Sequence, residues 1–178
     1  MNISAFYSHI AKLKEIERSG WVEKELPNPE SVADHSFGTA FLVMVLAPRL
    51  GLDQLKCLKL ALVHDMAEAE TGDVVTQRGS EVVADHAQKQ KNEALAAQKI
   101  FSQLGGPEYL ALFSEYQAQE SEEAKFVRQI DKLEMALQAK HYQETFGKDL
   151  SEFLVSASQN FGHGPLRETL EDITMPQS

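Results

Sequence analysis

Apolar residues recur at three- and four-residue steps over most of the chain, a spacing that places side chains on one face of a helix. The first stripe consists of Ile3, Phe6, Ile10 and Leu13. It predicts an amphipathic helix that ends near the Ser19-Gly20 pair. Two prolines and an asparagine lie within residues 21–30, so this stretch is predicted to be a loop.

A second helix is predicted from about residue 32 to residue 47. Ser31 and Asp34 resemble a capping box at its start, and Pro48 stops it. By composition alone, the apolar run 41–47 could also be a buried strand. A buried helix is favoured by the helical spacing of Phe37, Phe41 and Val45.

Asp53 is predicted to cap a third helix. Its apolar stripe consists of Leu55, Leu58 and Leu62. The stripe continues toward Met66 and is broken at Thr71-Gly72-Asp73. Cys57, the single cysteine, lies in this pattern, so we expect a small buried hydrophobic residue that forms no internal disulfide.

The rest of the chain continues the helical pattern. We expect a polar loop over 74–80, a long helix over 81–104 and another that begins at Pro107. A long helix over 121–146 follows, with the apolar stripe Phe126, Ile130, Leu133 and Leu137. The last expected elements are short helices over 150–158 and 166–173, a turn over 160–165 and a frayed tail over 174–178. Repeats, linkers and alternating strand patterns are absent from the sequence, which predicts an all-α protein of one domain.

Composition and charge limit the classes of function that the chain can have. The 178 residues are 43% hydrophobic, which is typical of a globular protein, and the net charge is -10. That charge argues against a nucleic-acid partner but permits small phosphates, which a metal or a few local cations can bind. The longest apolar run is too short to span a membrane, and the N-terminus lacks a signal-peptide core. With its lone cysteine, the chain is predicted to be cytoplasmic.

The most distinctive local feature is the adjacent pair His64-Asp65 at the end of an apolar helix, followed by Glu68 and Asp73. Residues four apart share a helix face, so His64 and Glu68 are expected to be neighbours. Crowded carboxylates raise one another's pKa unless a cation compensates them. This favours a divalent ion, although a hydrogen-bonded core histidine beside a capping aspartate is an alternative.

Two further residues suit a metal site. His35 falls in the first turn of the second helix, and Asp131 lies beside the apolar stripe of the long helix. Helix capping is the alternative for His35. A solvated ion pair with Arg128 or Lys132 is the alternative for Asp131.

The order His35, then His64-Asp65, then Asp131 is the pattern of the HD-domain superfamily, which the sequence resembles. The gaps are 29 residues from His35 to His64 and 66 from Asp65 to Asp131. Within that superfamily the chain is similar to the 5′-deoxynucleotidases. The resemblance covers about residues 6–165 and is carried by the segments 13–21, 28–35, 60–68, 71–73 and 123–135.

This resemblance implies a single HD-domain bundle of about six to eight helices over residues 1–178, usually assembled as a homodimer. It implies one divalent ion (Co, Mn, Ni, Zn, Fe or Mg) and hydrolysis of deoxyribonucleoside 5′-monophosphates to deoxynucleoside and phosphate. The metal ligands would be His35, His64, Asp65 and Asp131. Glu68 and Asp73 would be the acid–base carboxylates, and Arg18 and Trp21 would bind the nucleotide.

Other functions of the HD scaffold stay open from sequence, because a fold does not determine its chemistry. A phosphodiesterase or a nucleoside-triphosphate hydrolase is one alternative. The combination of Arg18 with Glu68 and Asp73 favours monophosphates instead. A binding module without turnover is the third possibility, and it would be expected if one of these carboxylates were missing.

Overall fold

The structure, a computed structural model, describes residues 1–78 and 80–161. These residues form α1 (Ile3–Leu13), α2 (Ser19–Glu23), α3 (Val32–Leu46), α4 (Gln54–Val63), α5 (Glu68–Thr71), α6 (His86–Ser102), α7 (Glu108–Ala118), α8 (Glu122–Phe146) and α9 (Ser151–Ser158). A 3-10 helix, Ala47–Leu50, follows α3. The all-α prediction is confirmed. The helix expected over 166–173, the tail 174–178 and most of the turn 160–165 lie outside the described residues.

Helix α8 lies at the centre of the fold and packs against α3, α4, α7 and α9. Ser121 caps its start, because the Ser121 side chain accepts a hydrogen bond from the backbone N–H of Ala124. Three members of its predicted stripe are buried: Phe126, Ile130 and Leu133. The long uninterrupted stripe therefore specified this helix correctly.

Helix α3 begins at the predicted capping box. Ser31 accepts from the Asp34 N–H at 3.2 Å, and the Asp34 carboxylate accepts from the Ser31 N–H at 2.9 Å. The predicted buried stripe was wrong, since Phe37 is 72% exposed and Phe41 is 54% exposed. The helix is apolar on both sides, and it buries the opposite face, with His35, Thr39 and Val43.

The stripe predicted for α4 was also wrong. Leu55 and Leu62 are 62% and 59% exposed, while Leu60 and Cys57 are fully buried. The burial of the free cysteine confirms that part of the prediction. Periodicity could not choose between the two faces because both are apolar.

The first helix ends earlier than predicted, at Leu13. The chain instead pairs with the segment before α3, since the Val32 N–H donates to the Ile16 carbonyl and the Arg18 N–H donates to the Glu30 carbonyl. These bonds satisfy the backbone outside a helix. Trp21, expected in a loop, consequently lies in the short helix α2.

Residues 81–85 are not helical, contrary to prediction. Strand β1 (Gln77–Arg78) lies in the stretch expected to be a loop. It pairs antiparallel with β2 (Glu81–Val82). Asp85 then caps α6 by accepting from two backbone N–H groups of its first turn. None of the described helices is long and apolar enough to cross a bilayer.

The buried apolar residues form two clusters. One surrounds α8 and includes Cys57, Leu60 and Ala61 of α4. The other joins α1, α6 and α7 and includes Val63, Met66, Ala67 and Ala69. The chain therefore passes from one cluster to the other between Ala61 and Val63, immediately before the His64-Asp65 pair.

Candidate active site

The His64–Asp73 segment is a broken helix. Helix α4 ends at Val63, and residues 64–67 form turns before α5 begins. In this stretch, backbone N–H groups donate to carbonyls three residues earlier. The Glu68 N–H, for example, donates to the Asp65 carbonyl at 3.0 Å. The expectation that His64 and Glu68 share one continuous helix face was therefore wrong. Gly72, with φ 76°, then ends α5 before Asp73.

The four predicted metal ligands lie together. One ligand atom from each of His35, His64 and Asp131 lies within 4.8 Å of the others. His35 Nε2 is 3.2 Å from Asp131 Oδ1. Asp65 Oδ2 is 3.1 Å from His64 Nε2 and 3.7 Å from His35 Nε2. Helix α3, the turn after α4 and helix α8 thus each contribute to one cluster.

In its neutral form, each histidine presents an unprotonated Nε2 to this cluster. His64 Nδ1 is 2.6 Å from the Ala61 carbonyl, which can only accept, so Nδ1 carries the proton. His35 Nδ1 is 2.6 Å from Glu134 Oε2 in the same way. The two Nε2 atoms are buried and make no hydrogen bond with any described residue. Two imidazole nitrogens beside two carboxylates form a donor set that a divalent transition-metal ion prefers.

The carboxylates of the cluster are held ionised. Burial raises the pKa of Asp65, but His64, His35 and Arg18 outweigh it and hold that pKa below the usual range. Burial also raises the pKa of Asp131, but Lys132 and His35 outweigh it and hold that pKa well below the usual value. Burial and Arg18 lower the pKa of His35, yet Asp131 and Glu134 raise it to about 10. A cation bound here would take the place of that proton.

Glu134 fixes the orientation of His35, and the fold makes room for it. A Cβ atom at Gly38 of α3 would lie 2.6 Å from Glu134 Oε1, so glycine permits this approach. Glu30 lies beside Glu134 and His35, and its pKa is raised to about 7, first by burial and then by Glu134. Glu30 accepts a hydrogen bond from Trp21 Nε1 at 2.9 Å.

Trp21 is only 1% exposed and packs as a core residue. Its ring contacts Tyr142 edge-on and lies against Phe153 with a centroid separation of 4.3 Å. It also contributes to the wall of the cavity described below. Trp21 therefore packs in the core and also lines the cavity.

Arg18 immediately precedes α2 rather than ending the first helix. Its Nη1 is 3.5 Å from Asp65 Oδ2 and 3.8 Å from Asp73 Oδ1. Burial lowers the pKa of Arg18, but these two carboxylates raise it above its ordinary value. Asp73 in turn accepts from the Ser19 N–H at 2.6 Å, which ties the start of α2 to the turn after α5.

Glu68 is 2% exposed. Burial, Asp65 and Asp73 raise its pKa well above the usual value. Its Oε1 accepts from Lys89 Nζ at 3.3 Å, whereas Oε2 is buried without a hydrogen-bond partner among the described residues. A buried carboxylate with one oxygen unused is suited to proton transfer.

A cavity of about 200 Å³ opens over these groups. Its lining includes seven of the eight predicted site residues: Arg18, Trp21, His64, Asp65, Glu68, Asp73 and Asp131. His35, which is fully buried, is absent from the lining. The cluster and the cavity together form a candidate active site.

Sequence reasoning missed several supporting residues. Glu134 lies one helical turn after Asp131 on α8, and this i, i+3 spacing was an available signal. The i, i+4 pair of Lys89 and Glu93 on α6 was another. Tyr116, whose hydroxyl is 3.3 Å from Asp131 Oδ2, carried no local signal because α7 brings it there from another part of the chain.

Similarity to known proteins identifies the family. The HD domain family matches residues 10–171. The Danio rerio protein named 5′-deoxynucleotidase HDDC2 is 35% identical over 91% of this chain and 81% of its own length. The Schizosaccharomyces pombe protein named 5′-deoxynucleotidase hdd1 is 34% identical over 86% of this chain and 79% of its own. This chain therefore belongs to the HD domain family.

A solved structure supports the same assignment. The crystal structure of a Pyrococcus horikoshii protein is 36% identical and covers 94% of this chain and 96% of its own chain. Its TM-score is 0.77, which shows that the helices are arranged alike in the two proteins.

Proposed function

We propose that this chain is a metal-dependent 5′-deoxynucleotidase. It would hydrolyse deoxyribonucleoside 5′-monophosphates to a deoxynucleoside and phosphate. The observation that carries the proposal is the pair of Nε2 atoms of His35 and His64, which have no hydrogen-bond partner among the described residues and face Asp131 beneath a cavity that Arg18 also lines. The curated relatives named as 5′-deoxynucleotidases supply the substrate class.

One divalent ion would be held by His35, His64, Asp65 and Asp131. When bound, it supplies Lewis acidity to the phosphoryl group and makes water more acidic. The nitrogen and carboxylate donors fit Mn, Co, Fe, Ni or Zn, and Mg less closely. The Nδ1 contacts of the two histidines hold their rings in the orientation that this site requires.

Arg18 would bind the phosphate. Its contacts with Asp65 and Asp73 are long, at 3.5 and 3.8 Å, and both involve Nη1. A guanidinium has five N–H donors, so others are available to grip phosphoryl oxygens. Those oxygens gain charge as the reaction proceeds, and the fixed cation would stabilise them.

Glu68 and Asp73 would handle the protons. Glu68 Oε2 has no hydrogen-bond partner among the described residues, and burial raises the pKa of Glu68 well above its usual value, which suits a group that gains and loses a proton. Asp73 is oriented by the Ser19 N–H and stands beside Arg18. Trp21 would close the nucleotide side of the cavity, with its ring held by the Glu30 hydrogen bond.

We further propose that the chain is a single HD domain located in the cytoplasm and that it forms a homodimer. Helix α3 carries a row of exposed apolar side chains: Phe37, Phe41, Met44 and Val45. A patch of this kind on one helix is typical of a surface that pairs with a second copy. Light scattering of a Phe37→Glu, Phe41→Glu variant should then give the monomer mass. Leu95→Glu, a change at another exposed leucine, should not alter the mass.

The decisive experiment is an assay of phosphate release after removal of metal with a chelator. The substrates are dAMP, dCMP, dGMP, dTMP, dUMP, AMP and a cyclic dinucleotide, each with Mg, Mn, Co, Ni or no metal. We expect turnover of the deoxy monophosphates that requires metal, is weaker on AMP and is lost in Glu68→Ala. Absence of phosphate release from every monophosphate would refute the proposal and favour a phosphodiesterase or a binding module.

A further inference from the structure

Lys89, near the start of α6, lies beside the cavity and contacts the segment that carries Glu68. Its Nζ is 3.3 Å from Glu68 Oε1, 3.2 Å from the Val74 carbonyl and 3.4 Å from Glu93 Oε1. The Lys89 side chain is 23% exposed and that of Glu68 is 3% exposed. A short ion pair so removed from water is more than a surface salt bridge.

The number of contacts decides what this lysine can do. An ammonium group has three N–H donors, and three acceptors already surround Nζ. The three acceptors of the protein match the three donors in number, which disfavours a direct contact with a phosphate oxygen of a substrate. Lys89 is therefore placed to hold groups of the protein, whereas Arg18 has donors to spare.

Glu93, the second carboxylate that contacts Lys89, is itself held in place. Glu93 accepts a hydrogen bond from Gln117 Nε2 of α7 at 2.9 Å. Lys89 thus connects Glu68 on α5 and the backbone at Val74 with a side chain anchored on α7. The lysine would lose charge compensation on one side if it moved toward the cavity.

The contact also distinguishes the two oxygens of Glu68. Lys89 occupies Oε1, while Oε2 is buried and has no hydrogen-bond partner among the described residues. A carboxylate held by one oxygen has a defined direction for the other. This direction matters because proton transfer needs a donor–acceptor distance of about 2.6–3.2 Å.

We propose that Lys89 is a positioning residue, which holds Oε1 of Glu68 so that Oε2 is the oxygen that exchanges the proton. This inference rests on the proposed hydrolase function. As the oxygen of water bonds to phosphorus, the bond from phosphorus to the 5′ oxygen breaks. One proton of the water passes through Oε2 to that leaving oxygen, and Glu68 returns to its starting state.

The test compares Lys89→Met, Lys89→Gln and Lys89→Arg with Lys91→Met, a change at an exposed lysine on the same helix. Removal of the charge should lower kcat by about 10- to 100-fold, because proton transfer by a misplaced group is slow. KM should change by less than about twofold, since Lys89 does not touch the substrate. Metal content should be unchanged, Lys89→Arg should recover part of the loss, and Lys91→Met should behave as wild type.

A double-mutant cycle shows whether Lys89 acts through Glu68. In a Glu68→Gln background, Lys89→Met should reduce kcat by less than about threefold further. Effects that multiply, or a raised KM with kcat retained, would overturn the positioning role and make Lys89 a substrate ligand. Circular dichroism of each variant checks folding, and Lys89→Gln replaces Lys89→Met if the latter unfolds.

The same variants are assayed on bis(p-nitrophenyl) phosphate, so that the two proposals can fail separately. A wild-type protein that cleaves this diester but no monophosphate refutes the deoxynucleotidase function alone. The loss of kcat in Lys89→Met is then expected on the diester. Equal diester rates for Lys89→Met and wild type would refute the positioning role.

Discussion

Helix α8 and the segment 57–73 both supply proposed metal ligands to the candidate site, but they do so in different ways. Helix α8 is continuous over 25 residues and presents Asp131, with Glu134 one turn later. The segment 57–73 is interrupted after Val63 and delivers His64, Asp65, Glu68 and Asp73 within ten residues. A straight helix presents one residue per turn to a given point, whereas a broken one can gather several.

The histidines show the same contrast. His35 is oriented by a side chain of α8, Glu134, at 2.6 Å. His64 is oriented by a backbone carbonyl of its own segment, that of Ala61, also at 2.6 Å. A substitution can remove the first support but not the second. The orientation of His35 can therefore be tested by mutating its supporting side chain, whereas the orientation of His64 depends on the backbone.

The largest effect is expected from two of the proposed metal ligands, Asp65 in the broken segment and Asp131 on α8. Either change to asparagine would remove a proposed anionic ligand, and kcat/KM for a deoxynucleoside monophosphate should fall by at least about 100-fold. Bound metal, measured by elemental analysis after gel filtration, should fall in both. Glu144→Gln, an exposed carboxylate on α8, is the control. Full metal content and activity in either ligand variant would exclude that residue from the site.

A smaller effect is expected from the support of His35. Glu134→Gln keeps the shape but weakens the hydrogen bond to Nδ1, so metal affinity should fall by about 10- to 100-fold. Isothermal titration calorimetry measures the change against the Glu144→Gln control. With saturating metal, most of the activity should return. Unchanged affinity would mean that α8 contributes no more than Asp131 to metal binding.

The smallest effect concerns the glycines that end each region. Gly72 has φ 76° and ψ 166°, a conformation nearly exclusive to glycine, and Gly72→Ala should cost about 1–3 kcal/mol of unfolding free energy. Gly147, after α8, has φ 67° and ψ 21°, and its change to alanine should cost about 1–2 kcal/mol. Denaturant unfolding measures both. Only Gly72→Ala should also lower activity, because Asp73 follows it. Equal activities would show that the conformation of Gly72 does not position Asp73.

The sequence predicted α8 well, because its apolar stripe is uninterrupted and its cap is a serine. It failed for α3 and α4 for one shared reason. Both helices are apolar on two faces, so spacing identified a helix but not its buried side. The exposed Phe37 and Leu62 show that neighbouring elements decide which face is covered. The buried face depends on tertiary packing, and the spacing of apolar residues along the sequence carries no information about it.

The candidate site was predicted from residue order, and its supports were not. The structure brings His35, His64, Asp65 and Asp131 together, as the resemblance implied. The break after Val63 had no local signal, since Met66, Ala67 and Glu68 suit a helix or are neutral in one. Lys89 and Tyr116 reach the site from α6 and α7, so their roles depend on contacts between distant segments.

The ligand cluster draws on three separate parts of the chain, at residues 35, 64–65 and 131. An unfolded chain cannot hold these atoms together, so an ion bound there would favour the native state alone. Mass action then adds about 2.7 kcal/mol to the unfolding free energy when free metal is 100 times its dissociation constant. Because proteases attack unfolded chains, the metal supply would govern how long each molecule survives as well as how fast it works.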